Sequence, residues 1–240
     1  FVAVVTLLRY RHSTLVVIRS GGLKALLAGA LLSGAMICNI VALKYTTVAV
    51  AVLVMAAAPI FAALLGRVFL SEAVGIRGWI SVALGIVGLA IMVGGRLQLG
   101  DTLGVAVAIL GIMFFGAYTV SLRVGKMLDM TPAVFYGGVI GALVGMSMSF
   151  VTGVGLAIPL VEAFWCTLLG IVQLGIGSVL FALAAQTVPA VQLTIFALGE
   201  PLLAPLWAWV GIGEVPSWAT MIGGGVLFSA LGFQVSAKHS

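Results

Sequence analysis

The sequence predicts an all-α integral membrane protein built as an inverted repeat, and three observations predict it. Apolar residues make up 63% of the 240 and charged ones only 7%, with a mean hydropathy of +1.33. Charged residues fall between apolar runs rather than inside them, and one apolar segment occurs twice. A soluble domain carries about a quarter charged residues, so the solvent here is the bilayer. Backbone groups in hydrocarbon must be satisfied within their own segment, which selects helices over open strands.

The elements follow in chain order. Phe1 to Leu8 is apolar but too short to cross, and Arg9, Arg11 and His12 prevent its continuation, so it reads as the tail of a helix. A cleaved signal peptide is the rival reading, but the basic leader and small-residue cleavage site are missing. Apolar runs of spanning character then predict helices at Leu23 to Leu43, Val48 to Leu70, Gly78 to Val93, Thr102 to Val124, Pro132 to Val151, Phe164 to Ala185, Ala190 to Val210 and Trp218 to Val235. That is about eight complete transmembrane helices plus the tail of a ninth.

The duplicated segment sets the organisation. Ala58-Pro59-Ile60-Phe61-Ala62-Ala63-Leu64-Leu65, closed by Glu72, returns as Glu200-Pro201-Leu202-Leu203-Ala204-Pro205-Leu206-Trp207, closed by Glu214, at an offset of 142 residues. Residues 1–96 read as the first copy and 97–240 as the second. By the same offset Phe1 to Leu8 matches Leu143 to Phe150, so about 42 residues of the first copy are expected to precede this chain, for ten spans in the intact protein. A first residue of Phe rather than Met agrees with that reading. Equivalent helices lie five spans apart, and an odd number of crossings reverses direction, so the repeat is inverted. Inverted repeats are an architecture of secondary transporters.

Orientation comes from the basic residues. Alternation puts Arg9, Arg11, Arg19, Lys24, Arg67, Arg77, Arg123, Lys126 and Lys238 on one side, with only Lys44 and Arg96 on the other. The positive-inside rule makes the richer side cytoplasmic, with the C-terminus there and a bacterial inner (cell) membrane as the location. The same bias accounts for the net charge of +5 without a nucleic-acid partner.

The run Leu43-Lys44-Tyr45-Thr46-Thr47, the stretch Ala58-Pro59-Ile60-Phe61 through Leu70-Ser71-Glu72, and a Trp79 helix with Gly85 and Gly88 resemble one EamA unit of the drug/metabolite transporter superfamily. Glu200-Pro201 through Gly213-Glu214, followed by Trp218 and Gly224, resembles a second. The resemblance covers essentially the whole chain. It implies two five-helix EamA units, both termini cytoplasmic, and transport of small metabolites such as amino acids, sugars or drugs.

An ionisable side chain within a span is a functional candidate by default. Of six acidic residues, Glu72, Asp101, Asp129, Glu162 and Glu214 fall at helix ends or in loops, and Glu200 alone falls deep in a span. Pro201 and Pro205 lack amide hydrogens and Gly199 adds freedom, so a helix kink with unused carbonyls is expected there, mirrored by Pro59. At helical spacing Phe196, Glu200, Leu203 and Trp207 form one stripe, an acid between aromatic faces, suited to an amine or to a proton. The rival role for Glu200 is a carboxyl that only braces the kink. Its mirror position is Ala58, so such a site is asymmetric.

Asn39, Tyr118, Ser121, Tyr136, Gln173, Gln192 and Thr194 also fall within spans, and Phe114, Tyr118 and Ser121 share a helix face. As a set they could line a polar cavity; singly, each suits an interhelical hydrogen bond. Tyr118, Asn39, Gln173 and Gln192 join Glu200, Phe196 and Trp207 as candidate substrate-binding or proton-coupling residues. Gly137, Gly141 and Gly145 recur at every fourth position, the spacing of close helix packing inside one subunit or of a homodimer seam. Trp79, Trp165, Trp209 and Trp218 fall near span ends, where an aromatic belt belongs.

Enzymatic readings find little material. His12 and His239 lie in a loop and a tail, no aspartate falls inside a span, and Cys38 and Cys166 have no histidine in the same helix. Hence no catalytic residues, metal or cofactor are expected. No phosphate loop of the GxxxxGK[ST] type occurs, and two cysteines in separate spans imply no disulfide framework. The leading reading is a carrier or exporter of small metabolites working by alternating access with protons as a candidate coupling ion. A channel or a polytopic membrane scaffold is the alternative.

Overall fold

The computed structural model describes residues 14–46, 48–93, 102–125, 130–153, 158–213 and 215–236. The helix tail expected at Phe1 to Leu8 and the closing residue Glu214 lie outside the described residues. The described elements are all helical: α1 Thr14–Tyr45, α2 Val48–Met55, α3 Ala58–Leu70, α4 Ile76–Val93, α5 Thr102–Val124, α6 Thr131–Thr152, α7 Leu160–Leu169, a π-helical turn Gly170–Ile176, α8 Gly177–Ala184, α9 Ala190–Ala197, α10 Gly199–Ile212 and α11 Trp218–Ser236. Six segments among the described residues are long and apolar enough to cross a membrane, and Ile76–Met92 is apolar but shorter.

Local chemistry sets the boundaries. Gly22, at φ 54° and ψ −153°, breaks α1, so its spanning part runs Gly22–Tyr45. Prolines open helices where an amide hydrogen would have no partner: Pro59 in the first turn of α3, Pro132 in that of α6, and Pro159 and Pro189 just before α7 and α9. Left-handed residues close them, Ser71 at φ 55°, Gly153 at φ 68° and Gly213 at φ 71°.

The chain divides into two compact units. One holds the residues up to Met36 together with Ser121–Val188, the other Ile37–Val120 together with the residues from Pro189 onward. In the first unit α1 and α6 meet on glycines. A Cβ on Gly29 would sit 2.6 Å from the Ala133 carbonyl oxygen, and one on Gly137 would sit 3.2 Å from the Gly29 carbonyl oxygen. Of the glycine series, Gly137 therefore packs within the subunit, Gly141 lies near Ser33, and a Cβ on Gly145 would meet open space. Arg123 ties the end of α5 to the end of α8, its Nη1 donating to the carbonyls of Ala185 and Gln186 at 3.2 Å each. A cation there complements the partial negative charge of a helix C-terminus.

In the second unit α4 packs along α11. Gly88 and Gly223 face one another, so that a Cβ on Gly88 would lie 2.9 Å from the Gly223 carbonyl oxygen. Among the described residues, two apolar clusters pack inside the unit. Ala56, Leu89, Leu198 and Leu227 form one; Ala63, Val82, Val191 and Ile195 form the other, where α3 meets α9. Around these cores many large apolar side chains are exposed, including Leu160, Val161, Phe164 and Trp165 on α7 and Val210 on α10. So much uncovered apolar surface belongs in hydrocarbon.

Candidate functional site

The site is built around two interrupted helices. The sequence predicts a kink near Pro59 and another near Gly199, Pro201 and Pro205; the chain has full interruptions, α2 giving way to α3 at Ala56 and Ala57, and α9 to α10 at Leu198. At each, the amide turns inward by one residue: Ala56 N–H donates to the Leu53 carbonyl at 3.1 Å and Leu198 N–H to the Ile195 carbonyl at 3.0 Å. An offset of 142 takes Leu53 to Ile195 and Ala56 to Leu198. The reason for breaks rather than kinks is positional. Each proline follows closely enough to sit in the first turn of a new helix, where it costs no hydrogen bond, so the chain restarts instead of bending. Pro205 alone lies inside a helix, α10. Ala56 and Leu198 belong to the same buried cluster, so the two interruptions meet in the core of one unit.

Glu200 stands in the first turn of α10. The sequence places it deep in a span, and it does lie midway along the apolar segment Ala190–Gly211, yet its side chain is exposed rather than enclosed by protein. The restart at Gly199 explains this. Phasing of α10 is no longer inherited from α9, whose inner face carries the buried Val191, Thr194 and Ile195. Phe196, Leu203 and Trp207 are exposed too, at 41%, 46% and 69%. The stripe thus lies on an exposed face of the second unit. Ala58, its mirror, is buried, so equivalent positions differ in environment as well as in chemistry.

The remaining candidates separate. Tyr118 is buried in α5, its ring 6.4 Å from that of Phe115, which places it in packing rather than on an open surface. Asn39 is exposed on α1. Thr194 donates to the Val191 carbonyl at 2.9 Å, which satisfies it inside its own helix. Gln173 is in the first unit, in the π-helical turn, an element no sequence signal announced beyond Gly170, Gly175 and Gly177 around it. π turns are rare and concentrate at functional positions.

Gln192, half-buried, lines a cavity of about 390 Å³ at the ends of α3, α4, α9 and α11. Glu72, Val74, Arg77, Val191 and Gln234 complete the part that matters chemically, and of the expected set the lining includes Gln192. Glu72, read from the sequence as a helix-end residue, reaches across it: its Oε2 accepts the Ala190 N–H at 3.3 Å. Pro189 precedes that amide, so no side chain of α9 itself caps the helix, and a carboxylate from the loop after α3 meets the positive end instead. The available signal was the glutamate closing both copies of the duplicated segment.

The sequence profile of the EamA-like transporter family matches residues 1–94 and 102–235. The chain belongs to that family. The uncharacterized transporter YdfC of Bacillus subtilis (strain 168) is 30% identical over 200 residues, 79% of this chain and 63% of that protein. The EamA-like chain thus spans less than two thirds of the length of that curated relative. A solved crystal structure of a protein covers 98% of the chain and 83% of its own, with a TM-score of 0.81 at 18% identity, a likeness of fold. Family and helices together make this a multi-pass integral membrane protein of a transporter family.

Proposed function

We propose that this EamA-like chain is a secondary carrier of small metabolites, amino acids or related amines and drug-like solutes, working by alternating access in the bacterial cell membrane. The observation that carries the proposal is the pair of helices interrupted at positions related by the 142-residue offset. Interrupted helices at corresponding positions of two halves are where carriers bind solute, because half-helix termini offer free backbone groups and partial charges at mid-membrane depth. Two five-helix units of opposed direction, ten spans in the intact protein and a cytoplasmic C-terminus belong to the same proposal. A lining for ion flow would need polar groups at regular depth, and the mid-span candidates are scattered between buried and exposed positions, which favours a carrier over a channel.

Glu200 is the solute or proton residue in this reading. A carboxylate at mid-span that protein does not enclose faces water or a polar solute rather than lipid, since a charge in hydrocarbon is costly. Phe196 and Trp207 beside it offer faces for an amine. Counterflow of a labelled metabolite panel in proteoliposomes tests the function: exchange of labelled for unlabelled solute marks a carrier, and its absence across the panel favours a scaffold. Glu200→Gln should lower exchange at least about tenfold, the worth of one charge-assisted contact, or abolish its pH dependence, with helicity retained. Unchanged exchange and pH profile would remove Glu200 from the site and leave the carrier standing.

A further inference from the structure

The cavity that joins α3, α4, α9 and α11 has a charge pattern that the mid-span reading does not use. We propose that it is a second solute site, for a small aliphatic zwitterion. Residues of opposite charge line it: Arg77, and Glu72, whose carboxylate meets the N-terminus of α9. Gln234 supplies the independent observation. It is 5% exposed and lines the cavity, and its Oε1 has no hydrogen-bond partner among the described residues. A buried acceptor without a donor is uncommon in native proteins and is resolved by an incoming N–H.

A zwitterion matches these groups head by head. Its carboxylate takes the forked donors of Arg77, and its ammonium finds the Glu72 charge and the Gln234 oxygen. Val74 and Val191 form an apolar wall for an aliphatic side chain, and the volume of about 390 Å³ falls within the range of small-molecule pockets. A carboxylate without the ammonium would meet the like charge of Glu72, and an amine without the carboxylate would meet that of Arg77, so both heads are selected. The site lies at helix ends, away from mid-span, and within one compact unit. As an entry vestibule it rests on the carrier reading; as a binding site it does not.

The test is binding of tritiated L-leucine to the purified chain in detergent, with 4-methylpentanoate and 3-methylbutylamine as competitors carrying one head each. Saturable leucine binding is expected, at least about tenfold tighter than either competitor. Arg77→Gln should weaken leucine about tenfold and leave competition by 3-methylbutylamine undiminished or stronger, since the charge that opposes a lone ammonium is gone. Gln234→Met, close in shape and safe for folding, should weaken leucine and the amine while sparing 4-methylpentanoate. No saturable binding, or single-headed compounds that bind as well as leucine, would overturn the proposal. So would Arg77→Gln and Gln234→Met proteins that bind as the parent does, or binding lost in Glu200→Gln and kept in Arg77→Gln. Leucine binding without counterflow of any metabolite would sink the carrier and leave this site; counterflow without leucine binding would do the reverse.

Discussion

Glu200 and Ser71 show what one residue can and cannot reveal from sequence. Depth along the chain was legible for Glu200, because an apolar run has a midpoint, but exposure was not, because the helix restarts one residue earlier and its phase is set by backbone. Ser71 is the converse: nothing in its type announces φ 55°, yet the second copy carries Gly213 at the equivalent position, also left-handed at φ 71°. A serine in that region pays for a Cβ crowded against its own carbonyl, roughly 1–2 kcal/mol, offset in part by the lower entropy of a serine chain when unfolded. Ser71→Gly should therefore stabilise the protein by about 0.5–1 kcal/mol, read as a higher melting temperature in detergent. A lower melting temperature would mean that the serine hydroxyl has a role the backbone alone does not explain. Glu72 was visible as a recurring glutamate; its reach to the Ala190 amide, 118 residues away, required the fold.

At the scale of elements, helix extents were the most legible feature. Thr102–Val124 matches the expected span at both ends, and most others differ by a few residues, because lipid leaves an apolar run no alternative to hydrogen-bonding itself. Internal irregularities were less so: Pro59 and Pro201 marked a disturbance but not a full restart of the helix, and residue type did not announce the π turn at Gly170–Ile176. Glycine spacing was likewise ambiguous, since the sequence weighs Gly137 and Gly145 alike and only the first meets a neighbour. The contact between α4 and α11 makes that difference testable. A Cβ on Gly223 would meet the Gly88 carbonyl oxygen and lie 2.6 Å from the Met92 amide nitrogen, whereas one on Gly225 would meet nothing within 4 Å. Gly223→Ala should destabilise by about 1–3 kcal/mol, as overpacking against rigid backbone does. Gly225→Ala should be neutral or gain up to about 1 kcal/mol from helix propensity. Equal melting temperatures for the two variants would show that the helices do not approach on Gly223.

At the scale of the whole molecule, element bounds repeat along the chain: the 142-residue offset takes α2 Val48–Met55 onto α9 Ala190–Ala197 and the start of α4, Ile76, onto that of α11, Trp218. The sequence could suggest ancestry and a membrane environment, since both are written in residue type and spacing. It could not say that a compact unit would combine Ile37–Val120 with the chain from Pro189 on, because which helices pack together depends on shape complementarity at faces that are all apolar. Contacts at helix ends nevertheless carry a topological consequence. Within the second unit Glu72, in the turn 71–75 that leads to Arg77, bonds the Ala190 amide at the start of α9, and within the first unit Arg123 bonds the carbonyls of Ala185 and Gln186. The start of α5 lies against the end of α1, where a Cβ on Gly104 would sit 2.8 Å from the Thr46 amide nitrogen. In the proposed topology, alternating spans put the turns 71–75 and 185–189 on the side opposite the ends at Lys44 and Leu103, and the positive-inside rule would make the first side cytoplasmic. In a background with Cys38 and Cys166 replaced by serine, Val74→Cys and Thr187→Cys should react with an impermeant maleimide only in inverted vesicles, and Lys44→Cys and Leu103→Cys only in right-side-out ones. Labelling of Val74→Cys and Lys44→Cys from the same side would break the alternation, and with it the opposed halves on which the carrier mechanism depends.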